Sequence, residues 1–376
     1  MLKGINLTLM IGPAVPVPVP AEVLDALTSV TVHTSAGEQR SGFSLTFSLS
    51  NQSPLQTIFL LTAGSLPPIM RVVIVVTING TPEVLMDGVI TRHEIAPGND
   101  PGHSTLTLSG EDLLALMDLI DFTGIPYPAM PPEARVLLCI AKYAFFGMIP
   151  LVLPSVLIDI PIPIERIPRH QGTDLAYINY LADFVGYVFY LTPGPKPLMN
   201  TAYWGPEIKV GAPQPALSIN MDAHSNVESL NFNFRPDQAT LPIVFIQNQA
   251  TKVPIPIPVP PITPLNPPLG VVQPFPQKIE FISETAKYNP LQGALVGMAK
   301  AAKTADTVAA TGTLDVMRYG RLLKARKLVG VRGAGLAFDG LYYVKSVTHQ
   351  IKRGEYKQSF ELSRNGLISI TPKVPV

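Results

Sequence analysis

The feature that most constrains this chain is a hydrophobic period that changes twice. Ser44 to Leu49, SLTFSL, alternates strictly, which puts Leu45, Phe47 and Leu49 on one face of a strand. Arg71 to Ile78 is a β-branched run ending at Asn79-Gly80, the dipeptide that supplies the positive φ angles of a tight hairpin. A second strand is expected from Glu83 to Ile90. Ser104 to Leu108, STLTL, alternates again. The spacing then becomes helical. Ser109-Gly-Glu-Asp112 reads as a helix N-cap ahead of Leu113, Leu116, Met117 and Ile120. A second helix is expected from Pro131-Pro132-Glu133, with Val136, Cys139, Ile140 and Tyr143 as its apolar stripe and Gly147 as its stop. A third starts near Thr173 or Asp174, with Leu175, Ile178, Leu181 and Val185 inward and Gly186 beyond its end. Val188 to Leu191 reads as a short strand and Trp204-Gly-Pro206 as a turn with an aromatic anchor. Period two returns after Ala216, in Leu230 to Phe234, in Ile243 to Gln247, and in Leu341 to Ile351 and Glu355 to Leu362 around Arg353-Gly354.

One stretch obeys neither period. Thr251 to Gln277 contains VPIPIPVPPITPLNPPLG and QPFPQ. Proline at alternate positions has no N–H for a ladder and favours an extended polyproline rod. Two readings stand: a tether, or an arm docked on a neighbouring subunit through Pro254, Pro256, Pro258, Pro260 and Pro261. A solvated tether is normally polar, whereas this one alternates Pro with Ile and Val, which favours the arm. Asn289-Pro290 is expected to open an Ala-rich helix reaching about Ala310. The fold class is therefore α+β, mainly β: a β unit, an α/β unit, and a second β unit split by a Pro-rich and helical insertion.

Composition says what the surface must do. Charged residues make up 15% of the 376 and hydrophobic ones 47%, against about 25% charged in an ordinary soluble protein. Much of the surface must face lipid or protein. The best apolar run, Tyr143 to Ile158, is short and holds Pro150 and Pro154; Thr57 to Val76 holds Pro67, Pro68 and Arg71. A spanning helix needs about 20 apolar residues, so no stable membrane span is expected and burial in an assembly is. The opening MLKGINLTLMIGP has one Lys3 and a brief apolar run, too little for a signal peptide. Net charge is +1, which argues against a bulk or specific nucleic-acid binder, yet residues 1–277 carry a balance of −8 and residues 278–376 one of +9. Opposite signs on two parts of one chain dock within a copy or head to tail between copies. The run Arg318, Arg321, Lys324, Arg326, Lys327 and Arg332 is the strongest charge feature, either a solvated strand face or a seam to a neighbouring subunit.

Catalytic signals are absent. The six histidines form no metal-type pair, Cys139 is the one cysteine, which suits a reducing cytoplasm, and there is no Gly-x-Ser-x-Gly, Walker loop or dinucleotide fingerprint. Gly330-x-x-Gly333-Ala-Gly335 precedes a strand signal and reads as a turn. Glu111, Asp112, Asp118 and Asp121 are explained by capping and dipole compensation rather than as a hydrolytic pair. No catalytic residue, metal or cofactor is expected.

In order, LTLSGEDLLALMD from Leu106 to Asp118, QGTDLAYINYLA from Gln171 to Ala182 followed by Gly186 to Tyr190, Trp204-Gly-Pro206, Ser225 to Leu230, and Gly340 to His349 with Gly354-Glu-Tyr356 and Phe360 to Gly366 resemble the phage late control D proteins, the baseplate hub family of contractile phages and injection systems. The Pro-rich stretch matches least. The resemblance implies two tail-tube-like antiparallel β-barrel domains, at 1–109 and at 216–248 with 311–366, with an α/β insertion at 110–215, a Pro-rich arm and helix at 249–310, and a tail at 367–376. It implies a homotrimer, a ring of pseudo-six-fold symmetry that adapts a six-fold inner tube to a three-fold spike. Its partners would be the inner tube protein, a spike on a separate polypeptide and other baseplate subunits. Assembly in the bacterial cytoplasm into a phage tail or tail-like particle follows. A tail-borne cell-wall hydrolase and a membrane-docking baseplate component are the alternatives.

Overall fold

The structure, a computed structural model, describes residues 4–371 except 14, 37–39, 50–68, 99–103, 156–160, 165, 248–252, 261–262, 283–289 and 304. The first alternating segments form β1 (Ile5–Pro13), β2 (Val17–Pro18), β3 (Leu27–Ser35), β4 (Gly42–Leu49), β5 (Met70–Ile78), β6 (Thr81–Ala96) and β7 (Ser104–Asp112). Asn79 at φ 49° and Gly80 at φ 82° turn β5 into β6, both in the left-handed region that a two-residue hairpin demands. Ser109-Gly-Glu-Asp112 does not cap a helix. It stays extended because β7 pairs on both sides, Gly42 opposite Glu111 and Gly88 opposite Asp112, and the sheet outweighs local propensity. The helix that follows is one turn, Leu114–Met117, and it is Asp112 Oδ1 that accepts from the Leu114 N–H at 3.0 Å.

The middle of the chain is a small α/β unit. Strand β10 (Asn200–Gly205) lies between β8 (Met148–Val152), which is parallel to it, and β9 (Val188–Pro193), which is antiparallel. The helices Pro132–Ala141 and Asp174–Val185 supply its core through Val136, Cys139, Ile140, Ile178, Leu181 and Val185. Thr173 caps the second helix through the Ala176 N–H at 3.2 Å, and Gly186 ends it at φ 75°. The first ends at Ala141, short of Gly147, which instead follows a single 3-10 turn at Ala144–Phe146. Trp204 is fully buried within β10 against Tyr187, ring centres 4.9 Å apart, so Trp204-Gly205 closes a strand rather than making a turn.

The rest of the chain forms β11 (Gln214–Ser218), β12 (Val227–Phe234), β13 (Thr240–Gln247), β14 (Pro254–Pro258), β15 (Gly270–Val272), β16 (Lys278–Ile282), the helix Pro290–Lys303, β17 (Val308–Asp315), β18 (Leu328–Arg332), β19 (Gly340–Lys352), β20 (Glu355–Arg364) and β21 (Leu367–Ser369). The Ala-rich helix stops at Lys303 because Val308 already belongs to a strand with partners on both sides. Its expected cap, Asn289, lies outside the described residues.

The first and last β segments are one sheet, antiparallel along the strand order β12-β17-β20-β19-β3-β4-β7-β6-β5-β1-β2, with β18 attached antiparallel through β19 and β11 parallel to β18. The joint is β3 against β19, from Ser35 opposite Ser346 to Ser29 opposite Lys352. One buried cluster, from Ile5 to Leu362, underlies it. Among the described strands no pair closes either half into a hydrogen-bonded ring, and β12 and β2 end the path.

Two readings of the insertion change. Strand β13 leaves the large sheet and pairs antiparallel with β14 and parallel with β16. The alternating prolines do join a ladder. Pro254, Pro256 and Pro258 stand opposite Gln247, Phe245 and Ile243, while Ile255 and Ile257 stand opposite Ile246 and Val244. Backbone groups of alternate residues point to opposite edges. Proline at every second position therefore leaves the bonds toward β13 to Ile255 and Ile257 and turns the donor-less nitrogens outward, as an edge strand permits. Pro260 follows the strand, and Pro261 lies outside the described residues.

Candidate functional site

Scarcity of charge made subunit contact the expectation, so the surfaces that remain outward are the candidate site. Arg318 sits on the one-turn helix Val316–Tyr319, whose leading N–H groups bond Asp315 Oδ1 at 2.7 and 3.2 Å. Arg318, Arg321, Lys324 and Lys327 are exposed, and Arg326 and Arg332 half-buried. Two of the six are engaged within the chain. Lys324 Nζ lies 2.7 Å from Glu83 Oε2 on β6, an exposed pair worth at most about 1 kcal/mol. The Arg326 guanidinium lies 4.0 Å over the Tyr190 ring and donates to the carbonyls of Leu191, at 3.2 Å, and Ser35. Arg326 thus ties β3 to β9 inside its own chain and is removed from the outward run. Arg318, Arg321, Lys327 and Arg332 have no carboxylate partner among the described residues.

A second surface was not singled out from sequence. The buried face of the large sheet carries Val30, Leu45, Phe47, Leu108, Val347 and Phe360. The opposite face is hydroxyl and amide across the joint of the two halves. In register, Ser229 faces Thr313, Thr313 faces Ser359, Ser359 faces Thr348 and Thr348 faces His33. One row on, Gln350 faces Thr31, Thr31 faces Ser44 and Ser44 faces Ser109. The rows are bonded sideways, Ser229 Oγ to Thr313 Oγ1 at 2.8 Å and His33 Nδ1 to Thr348 Oγ1 at 2.9 Å. A depression of about 360 Å³ lies over it, between Asn231, Thr311, Ser346 and Glu361. The signal was present in the polar half of SLTFSL and STLTL, which the search for cores discards.

The expected carboxylates are engaged structurally. Arg40 bridges Glu111 at 3.0 Å and Asp118 at 2.6 Å, Thr173 donates to Asp118 at 2.7 Å, and Asp121 accepts from the Thr123 N–H at 2.7 Å. Asp112 is buried, and that burial pushes its carboxyl up to about 7. Histidine chemistry sits where spacing gave no hint. His170, Cys139 and Asp174 are fully buried and place ligand-type atoms within 4.8 Å of one another. The cation position beside Asp174 is taken by Lys142 Nζ, 2.8 and 3.1 Å from its two oxygens and 3.7 Å from the Phe122 ring centre, and Tyr143 donates to it at 2.9 Å. Burial pushes the Cys139 thiol up to about 12, away from the thiolate a metal needs. The trio therefore reads as a packed network closed by lysine rather than as a metal centre. No helix of the described residues is long and apolar enough to cross a membrane.

Neither a protein-family profile nor a curated protein sequence matches the chain. Its fold does match solved structures, among them phage tail proteins and a component of a type VI secretion system. A tail protein from Neisseria meningitidis MC58 superposes with a TM-score of 0.64 at 14% identity, covering 97% of this chain and 98% of that one. The 43 kDa tail protein of prophage MuSo2 from Shewanella oneidensis gives 0.64 at 12% identity over 96% and 98%. A Francisella PdpA–VgrG complex gives 0.62 at 12% identity, covering 100% of this chain and 55% of the other.

Proposed function

We propose that this chain is a structural baseplate subunit of a contractile tail or injection machine: the hub, three copies of which form a ring between a six-fold inner tube and a three-fold spike. The observation that carries the reading is the end-to-end likeness to two tail proteins of nearly the same extent, with 96–97% of this chain and 98% of each of theirs superposed. Two further features support it. Oppositely charged parts of one chain suit the complementary sides of a closed ring. The outward face of the large sheet, hydroxyl and amide in its central rows with Glu361 and the Lys357–Glu228 pair further along it, suits the wall of a passage, because its central rows offer no apolar patch to a moving object. On this reading that face lines the channel, and Arg318, Arg321, Lys327 and Arg332 meet the next copy, while β14 with Pro254, Pro256 and Pro258 lies on a neighbour.

The test is native mass spectrometry of the full chain, alone and co-expressed with tail-tube and spike proteins from the same source, followed by electron microscopy of the complex. Three copies in a ring bound to tube and spike are expected. A chain that stays monomeric with those partners present overturns the hub reading.

A further inference from the structure

A cleft of about 230 Å³ opens on the α/β unit between the helices Pro132–Ala141 and Asp174–Val185 and the segment 166–171, and three arginines, Arg135, Arg166 and Arg169, line it. Arg135 is 5% exposed, its Nη1 donates to the Tyr177 hydroxyl at 2.9 Å, and its Nε is buried with no hydrogen-bond partner. No carboxylate pairs with Arg135 or Arg169 among the described residues; Arg169 donates only to the Gly124 carbonyl, at 3.3 Å. A guanidinium kept out of water without a counter-ion is costly, and such charges are normally paired. Nothing among the described residues repays the cost at Arg135: the phenol it touches is itself buried, and burial pushes that phenol's pKa up, so it stays neutral.

We infer that this cleft is a docking site for a carboxylate side chain on an extended segment of a partner polypeptide. Arg135 and Arg169 would supply the planar N–H forks that a carboxylate accepts in pairs. The volume admits one side chain and is below the ~300–1,000 Å³ of an ordinary small-molecule pocket. The rim selects a peptide over a free ion. Tyr180 in the lining is 49% exposed, and Ile162, Ile164 and Ile167, which neighbour Arg166 and Pro168 in the chain, are 54, 96 and 44% exposed, so an acidic residue flanked by apolar ones would cover the charge together with Tyr180 and apolar surface nearby. Tyr177 is stacked on Tyr127, planes 10° apart and centres 5.8 Å apart, which holds the back wall still. The site is complete within one copy, so it stands whether or not the chain forms a ring.

The experiment is calorimetric titration of the full chain with three probes: an acetylated, amidated pentapeptide with a central glutamate among leucines, its glutamine counterpart, and inorganic phosphate. The glutamate peptide is expected to bind, the glutamine peptide at least about tenfold more weakly, and Arg135→Met to lose at least about tenfold. Arg135→Met also removes an unpaired buried charge, so its melting temperature is expected to equal or exceed that of the parent. Arg169→Gln, at an exposed position, is a second variant expected to weaken the same peptide. Equal binding of the two peptides, binding of phosphate alone, or unchanged binding by both variants overturns the inference.

Discussion

Arg71 and Asp87 meet across the β5–β6 hairpin as a two-pronged pair, Nε to Oδ1 and Nη2 to Oδ2 each at 2.7 Å, with side chains 3% and 0% exposed. The pair reaches beyond the hairpin. Arg71 also donates to the Phe146 carbonyl at 2.8 Å, and Asn200 donates to Asp87 at 2.8 Å, so it clamps the large sheet to β10 and to the turn before β8. Asp87→Ala strands a buried guanidinium and is expected to cost about 3–5 kcal/mol in urea unfolding. Replacing both partners, Arg71→Met with Asp87→Leu, is expected to cost less than the single change, because no charge is left unpaired.

Asp112 and His349 should contribute opposite slopes to stability between about pH 4 and 6.5, and two substitutions expose them. Burial holds Asp112 up at about 7, so the folded chain binds more protons than the unfolded one above pH ~4. Stability from this residue falls by about 1.4 kcal/mol per unit until pH ~7. Burial holds His349 down at about 3, so its contribution rises at the same rate from about pH 3 to about 6.5. The slopes oppose each other. Asp112→Asn, which keeps the acceptor for the Leu114 N–H, should unmask a steep acid loss and gain stability at pH 8. His349→Asn should unmask a decline toward neutral pH. Urea midpoints from pH 3.5 to 8 decide the matter, and parallel curves for parent and Asp112→Asn would contradict it.

Gly186 does two things at once. It adopts φ +75°, and a Cβ built on it would lie 2.5 Å from the Ala299 Cβ of the helix Pro290–Lys303. Gly80 has φ +82° and open space around it. Gly80→Ala is expected to cost about 1–2 kcal/mol from backbone conformation alone, and Gly186→Ala a further ~1–3 kcal/mol from overpacking. Thermal or urea unfolding of the two variants isolates the helix contact as their difference.

The outward prolines of β14 blunt a sheet edge. Pro256→Ala restores an N–H on the side facing away from β13. Folding stability is expected to change by less than about 1 kcal/mol while self-association rises, since a donor-bearing edge pairs with other chains. Sedimentation velocity over a concentration series reads this directly; unchanged association would show that the edge is covered by something else.

What could be read from sequence was whatever a local period encodes. β4, the β19–β20 hairpin and the helix Asp174–Val185 follow from alternation, Arg353-Gly354, and the Thr173 and Gly186 caps, because one face of each is buried, while β5, buried on both faces, follows from its β-branched run and Asn79-Gly80. The α+β, mainly antiparallel class followed with them. Pairing between distant strands did not, since alternation says that Val30 and Val347 turn inward but not that their strands are neighbours. The proline strand was misread by judging proline by kind rather than by parity. Arg326 looked like one more charge in a run, yet its partners, Leu191 and Ser35, are 135 and 291 residues away. His170 was missed for the same reason, since its hydroxyl partner Tyr127 is 43 residues off and at no ligand spacing.

The seam between β3 and β19 also sets a clock. His33 and Thr348, which touch across it, are 315 residues apart. A ribosome adding about 5–20 residues per second needs roughly 15–60 s to deliver the second after the first. Through that interval β3 has a bare edge, so the nascent N-terminal half must wait, unfinished, for chaperone cover or for its own distant end.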